Sequence, residues 1–198
     1  MKGNPLVHFE KWFDAAVAAG EKHPDAMALA TCSRKGIPSV RIVLYKGLSK
    51  GRSKGAFRLF TNYESRKGKE LLSNPHAALT FHWKQLDRQI RIEGSVRKMS
   101  RAESEEYFHS RPRLSQIGAW ASQQSRPIAS REILIERVRH YELLFKDKPV
   151  ALPPHWGGFL LVPSRIEFWQ EGEFRLHDRF VFSRKKASSS WTVERLSP

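Results

Sequence analysis

The chain has 198 residues, 40% of them hydrophobic and 28% charged, a composition that supports a folded core and excludes general disorder. No apolar run approaches the roughly 20 residues of a membrane-spanning helix. The formal net charge is +15 and the pI is near 10.3, which favours anionic partners: nucleic acid, acidic lipid or phosphorylated small molecules.

Cys32 is the only cysteine, so no disulfide can form within the chain, and a reducing cytoplasm is the expected location. The apolar part of the N-terminus is interrupted by Glu10, Lys11 and Asp14, which argues against a signal peptide. Leu6, Phe9, Phe13 and Ala16 recur at helical spacing, with Gly20 where a helix C-terminus uses it. This predicts an N-terminal helix within residues 1–22. Residues 26–33 read as a short strand, and Gly36 turns the chain into a second strand at 39–46. There Val40, Ile42 and Leu44 alternate with Arg41, Val43 and Tyr45, which predicts burial on both faces. Arg41 in such a strand is costly unless it meets an anion. Lys46 ends the strand, where its side chain can reach a site.

The loop 47–55 contains GRSKG, a formal match to a nucleophile elbow. An elbow needs a buried strand running directly into a helix. Here the loop is long and basic and a strand, 56–61, follows it, so the match is rejected. Ser65 can cap a short helix, RKGKELL, which ends before Asn74-Pro75. Arg66 and Lys67 then occupy a first helical turn, where cations oppose the helix dipole. A bound anion explains that placement; two exposed bases on a surface helix explain it as well.

Residues 76–84 and 88–99 read as antiparallel strands around the turn QLD, with Ile90 and Ile92 alternating against Gln89, Arg91 and Glu93. Ser100 with Glu103 forms a capping box that starts the next helix. Tyr107, Arg111 and Ser115 recur every four residues beyond it, although Pro112 opposes a straight continuation. Their hydroxyl and guanidinium groups are good phosphate donors. A helix followed by a polar turn is expected over 114–125. Ser130 can cap a further helix, with Ile133, Leu134, Val138, Tyr141 and Leu144 inward. Four short strands finish the chain: GFLLV, RIEFWQ, DRFVFS and WTVERL. Between the second and third, Arg175, His177 and Arg179 stand at alternate positions, which in an extended chain share one face. With Trp169 nearby they can floor a flat anionic ligand, or they can form a solvated, charged hairpin end.

Strands dominate and helices are insertions. The expected fold is α+β, mainly β: an antiparallel, closed or partly closed barrel. One domain over 1–198 is expected, divided into the N-terminal helix (1–22), the first barrel strands (26–99), a helical insertion (100–148) and the C-terminal strands (156–198). The eight histidines are scattered without an H-x-x-x-H pair, so no metal site is expected. No Walker loop or G-x-G-x-x-G occurs. Instead Arg41, Lys46, Arg66, Lys67, Arg111, Arg175 and Arg179 exceed what one phosphate needs, which suits two phosphorylated ligands.

RIVLYK, the FTN-x-x-SRK segment at 60–67, YFHSRPR-x-SQIGAW at 107–120, LPPHWGGF at 152–159 and FWQ…RLHDR at 168–179 resemble the pyridoxine/pyridoxamine 5′-phosphate oxidases. The likeness covers nearly the whole chain. It implies an FMN-binding split barrel, a homodimer with FMN sites at the subunit interface, and no nucleic-acid or membrane partner. It further implies oxidation of pyridoxamine 5′-phosphate and pyridoxine 5′-phosphate by O2. By the same resemblance the FMN contacts are Arg41, Ile42, Val43, Leu44, Tyr45, Lys46, Phe60, Thr61, Arg66, Lys67, Gln89, Gln124, Ser125, Trp169 and Arg179. The substrate contacts are Lys46, Tyr107, Arg111 and Ser115 at the phosphate, and Arg175, Leu176 and His177 at the pyridine ring, with Arg175 and His177 as the catalytic pair. Phe60 departs from the family's frequent Tyr, and the segment before the first helix is short, so that either the arm that helps cover the substrate is lacking or the chain was started late. The rival readings are another flavoenzyme of this fold, of the phenazine-biosynthesis type, a non-catalytic flavin or pyridoxal-phosphate carrier, and a basic nucleic-acid-binding barrel.

Overall fold

Alternation of apolar and polar residues draws eight strands into one antiparallel sheet, with five helices placed around it. The computed structural model describes residues 1–198, the side chain of Arg52 excepted. The strands are β1 (Ala26–Cys32), β2 (Pro38–Leu44), β3 (Phe57–Asn62), β4 (His76–Trp83), β5 (Arg88–Lys98), β6 (Trp156–Gln170), β7 (Asp178–Ser183) and β8 (Thr192–Leu196). They run in the order β2-β1-β4-β5-β6-β7-β8, and β3 joins β6. Helix α1 (Pro5–Ala18) precedes the sheet. Helix α2 (Arg66–Ser73) connects β3 to β4, and α3 (Arg101–Ser110), α4 (Arg113–Ala121) and α5 (Arg131–Leu144) lie between β5 and β6.

The long strand β6 is where the barrel splits. One edge pairs with β5 over residues 159–170. The other edge is shared: 156–161 pair with β3, and 165–170 pair with β7. Pro163 lies at the handover, where a missing N–H costs nothing. The same point carries a register shift at Glu93/Gly94. A Cβ on Gly94 would lie 2.1 Å from the Val162 carbonyl oxygen, so only glycine lets the two backbones approach there. The fold is thus the antiparallel, partly closed barrel with inserted helices that the strand pattern predicts, split at β6 as the resemblance implies.

Helix α1 closes the core. The Asn4 side chain accepts from the Leu6 N–H, and Pro5 occupies the first turn. Phe9 is fully buried, with ring centroids of Tyr45, Phe57 and Phe81 at 5.3, 4.8 and 5.2 Å, edge-on. Such T-shaped pairs add roughly 0.5–1.5 kcal/mol each beyond the area they bury. Ser65 caps α2 by accepting from the Gly68 N–H, and the Ser100–Glu103 capping box is formed.

Five local expectations are corrected. GFLLV and RIEFWQ are one strand, β6, because β5 pairs with it on both sides of Pro163, where the other edge has no ladder partner. Strand β2 is not buried on both faces: it lies at the sheet edge, and Val40, Ile42 and Leu44 are 68%, 67% and 47% exposed. Residues 173–175 form a 3-10 turn with Phe174 and Arg175 at φ 55° and 65°, so Arg175 and His177 do not alternate along one extended face. Leu144 is exposed. Ser130 stands at the start of α5, but its side chain makes no capping bond to the backbone there. Among the described residues no helix is long and apolar enough to cross a membrane.

Candidate functional site

A cavity of about 730 Å³ opens between β2, the end of β3, the start of α2, the α3–α4 corner and the start of β6. Its size is that of a pocket for a cofactor or small ligand. Two cationic centres face it.

The first centre is built on α2. Gly68 lets the first turn of the helix sit against β3: a Cβ there would meet the Tyr63 and Asn62 carbonyl oxygens at 2.4 and 2.7 Å. This brings Lys67 into the cavity wall, 9% exposed. Its Nζ donates to Thr61 Oγ1 at 3.2 Å and Ser65 Oγ at 3.4 Å, and among the described residues it has no carboxylate partner. Burial and then the Arg41 charge push its pKa down, the signature of a cation held without its counter-ion. Thr61 Oγ1 also donates to Gln124 Oε1 at 3.1 Å, which holds the 122–125 segment beside the same wall. Arg41 lines the cavity but is joined to Glu70 (3.3 Å), and Arg66 donates to the other Glu70 oxygen (2.9 Å). Lys46 likewise lines the cavity and pairs with Asp25 at 2.9 Å.

The second centre uses the break at Pro112. Helix α3 ends at Ser110 and α4 starts at Arg113, yet Tyr107, Arg111 and Ser115 all line the cavity. The Arg111 guanidinium lies 4.7 Å over the Trp156 ring, and its Nη1 is buried without a hydrogen-bond partner. Burial pushes its pKa down. Leaving such a donor unpaired costs about 1–3 kcal/mol, so the position is suited to an acceptor brought in from outside. Next to it Phe60 is stacked on Tyr107 (3.8 Å, 16°) and on Trp156 (5.5 Å, 12°).

Of the residues expected at a site, Arg41, Ile42, Val43, Leu44, Lys46, Phe60, Thr61, Lys67, Tyr107, Arg111, Ser115 and Gln124 line this cavity. The Tyr45 ring does not; it is in the core, where burial and then the Glu10 charge push its pKa well up. Arg66 is mostly exposed, outside the lining, and Ser125 is exposed with φ 69°. The others gather elsewhere. Gln89, Trp169 and Arg179 are cross-strand partners in one row over β5, β6 and β7. His177 lies 4.6 Å from the Trp169 ring, and its Nδ1 accepts from the Gly172 N–H. Arg179 is engaged by Glu167 at 2.8 and 2.9 Å, while Arg175 and Leu176 are exposed. One chain therefore presents two clusters: the cavity, and a second surface at the β6–β7 turn.

Asn62, Gly118, Ala119, Ser122 and Trp156 also line the cavity and were missed from sequence. Gly118, Ala119 and Ser122 continue the helical spacing of Ser115, a signal that was there to read. Among the described residues no group of three or more His, Cys, Asp or Glu could hold a metal ion.

Residues 13–145 match the family model described as pyridoxamine 5′-phosphate oxidase, and residues 156–198 match the pyridoxine 5′-phosphate oxidase C-terminal dimerisation region. A protein of Cupriavidus pinatubonensis (strain JMP 134 / LMG 1197) named pyridoxine/pyridoxamine 5′-phosphate oxidase is 50% identical over 196 residues, which cover 99% of this chain and 90% of that one. One of the same name from Paraburkholderia xenovorans (strain LB400) is 51% identical over 195 residues, 98% of this chain and 89% of that one. Among solved structures, PhzG from Burkholderia lata 383 in complex with tetrahydrophenazine-1-carboxylic acid aligns with a TM-score of 0.91 at 26% identity, covering 100% of this chain and 94% of that one. A pyridoxamine 5′-phosphate oxidase-related, FMN-binding protein from Nostoc punctiforme PCC 73102 shares the fold, with a TM-score of 0.78 at 16% identity and full coverage of both chains. With two-thirds of its length inside the oxidase model and relatives at 50% identity over nearly all of it, this chain belongs to the pyridoxamine 5′-phosphate oxidase family.

Proposed function

We propose that the chain oxidises pyridoxamine 5′-phosphate and pyridoxine 5′-phosphate to pyridoxal 5′-phosphate, with FMN as cofactor and O2 as electron acceptor, releasing hydrogen peroxide. The observation that carries this reading is a pair of acid-free cations, Lys67 and Arg111, reaching one cavity from two different elements. Two phosphorylated molecules need two such centres, and the donor set fits a phosphorylated flavin beside a phosphorylated substrate. The names of relatives 50% and 51% identical to this chain support the same substrates.

When bound, FMN supplies the hydride acceptor, and O2 regenerates it with release of hydrogen peroxide. Lys67, Arg41, Thr61 and Gln124, with Arg66 and Ser125 at the rim, hold the cofactor phosphate. Tyr107, Arg111, Ser115 and Lys46 hold the substrate phosphate. Ile42, Val43, Leu44 and Phe60 supply apolar wall that excludes water. A second copy of the chain contributes Gln89, Trp169, Arg175, Leu176, His177 and Arg179, so each FMN site lies at a subunit interface. Two features support this. All of these but Gln89 lie within the region matched to the dimerisation model, and the apolar edge of β2, which borders the cavity, is exposed in the single chain. Arg175 and His177 then hold the pyridine ring in line for hydride transfer, an effect of orientation.

A second reading, oxidation of a phenazine-type carboxylic acid, is favoured by the TM-score of 0.91 to PhzG. One experiment separates the readings. The purified protein is assayed for bound flavin, then for peroxide release on adding pyridoxamine 5′-phosphate or a tetrahydrophenazine carboxylic acid. Flavin with peroxide from the phosphorylated amine is the expected result. A protein that takes up no FMN and releases no peroxide from that amine refutes the proposal.

A further inference from the structure

Glu70 is a buried carboxylate, 8% exposed, on the inner face of α2. Four donors from three elements converge on it. Its Oε2 accepts from Thr31 Oγ1 (2.5 Å), Ser39 Oγ (2.6 Å) and Arg41 Nη2 (3.3 Å), and its Oε1 accepts from Arg66 Nε (2.9 Å). The two hydroxyls are shared. Thr31 Oγ1 accepts from Arg41 Nη1 and Ser39 Oγ accepts from Arg41 Nη2, both at 2.5 Å. Since Glu70 takes both hydroxyl protons, both hydroxyl lone pairs must face the guanidinium. Arg41 is further tied to the Leu29 carbonyl oxygen at 3.2 Å. Its four Nη donors are therefore engaged, and among the described residues no protein acceptor meets Nε–H.

We propose that Glu70 is a positioning residue for the cofactor phosphate: it locks Arg41 on β2 and Arg66 on α2 in place, so that the phosphate pocket is formed before the ligand arrives. This rests on the assignment of Arg41, Arg66 and Lys67 to the FMN phosphate. The carboxylate also sets the local charge. Three cations less one carboxylate leave two positive charges, the complement of a phosphate dianion. Preorganised arms of this kind need no ordering when the ligand binds. Only a carboxylate meets the demand, because all four incoming groups are donors and both of its oxygens are acceptors. A carboxamide has one acceptor. Whichever way it turns, its NH2 faces either the Arg66 Nε–H or the two hydroxyls, and in the second case the hydroxyl protons are turned onto Arg41.

The test compares apoprotein of the wild type, Glu70→Gln and Ser39→Ala, titrated with FMN and with riboflavin, which lacks the phosphate. Glu70→Gln is expected to raise the Kd for FMN about tenfold or more, as for a lost charged hydrogen bond, and to leave that for riboflavin within about twofold. Ser39→Ala, a milder change at the sheet edge that keeps the test open if Glu70→Gln does not fold, is expected to shift the same ratio in the same direction. An unchanged or lower Kd for FMN overturns the proposal. So does an equal loss for both flavins, which marks a merely structural role. A wild-type apoprotein with no preference for FMN over riboflavin overturns it together with the phosphate assignment on which it rests.

Discussion

Replacing Arg111 by Ala removes a guanidinium whose Nη1 is buried without a partner. The side chain lies at the α3–α4 corner, stacked on Trp156 and beside Tyr107 and Ser115 in the cavity wall. A hydrogen bond from a charged donor to a phosphate oxygen contributes about 1.5–3 kcal/mol, so the KM for pyridoxamine 5′-phosphate should rise roughly tenfold to 150-fold. The phosphate is held equally in the ground and transition states, so kcat should stay within about twofold. Flavin content should be unchanged, because Arg111 belongs to the other cationic centre. Stability should not fall, because the variant no longer leaves the Nη1 donor buried without an acceptor, and the melting temperature is expected to hold or rise. Arg111→Lys should recover only part of the loss, since an ammonium does not stack on Trp156 as a planar guanidinium does. Flavin absorbance of the purified protein, steady-state peroxide release after flavin loading, and a thermal melt together measure all four quantities. An unchanged KM, or a fall in kcat alone, refutes the phosphate role. Loss of FMN refutes the separation of the two centres.

Three further outcomes are expected. If each site takes the cavity from one copy and the β6–β7 turn from its partner, co-expressed Arg111→Ala and Arg175→Ala chains form hybrid dimers with one intact site, and random pairing restores about a quarter of wild-type activity at low substrate; activity no higher than the mean of the two variants sinks the shared site. Gly94→Ala sets a Cβ against the Val162 carbonyl oxygen and should cost about 3 kcal/mol or more, read as a lower denaturant midpoint; a wild-type midpoint contradicts the close approach of β5 to β6. Burial tends to raise the Glu70 pKa, but hydrogen bonds from Ser39, Thr31 and Arg66 and the Arg66 charge outweigh it and hold it down to about 2. A depressed carboxylate contributes stability that is complete above its unfolded pKa of about 4.3 and is lost as pH falls through the folded value. Glu70→Gln should therefore flatten the acid limb of a stability–pH profile below that point, and an unaltered limb contradicts the role of the carboxylate.

The parts of the fold legible in the sequence are those decided by neighbours along the chain. Ser65 and the Ser100–Glu103 box mark two helix starts because a cap is a bond between residues three apart. Pro112 marks the α3–α4 corner for the same reason. What was misread depends on distant partners. Pro163 reads as a strand end, yet β5 carries β6 past it, since the other edge has no ladder partner at that point. Phe174 and Arg175 reverse the hairpin in left-handed conformations that nothing in FRLH announces. Val40, Ile42 and Leu44 read as buried because they are apolar; in the single chain they form an exposed edge.

The site was legible as chemistry and less so as geometry. Excess positive charge points to an anion without saying where it binds, because most of the cations involved are already neutralised. Arg41 and Arg66 meet Glu70, Lys46 meets Asp25, and Arg179 meets Glu167. Only the Arg66–Glu70 spacing of four residues was open to a sequence reading; the other pairs join separate strands and loops. Once those are set aside, Lys67 and Arg111 remain as cavity cations without a carboxylate, and both have pKa values lowered first by burial. A protein selected for stability alone would pair such groups or replace them, since uncompensated buried charge is costly. Their persistence on the walls of one cavity is therefore the strongest structural argument that two anionic groups bind there.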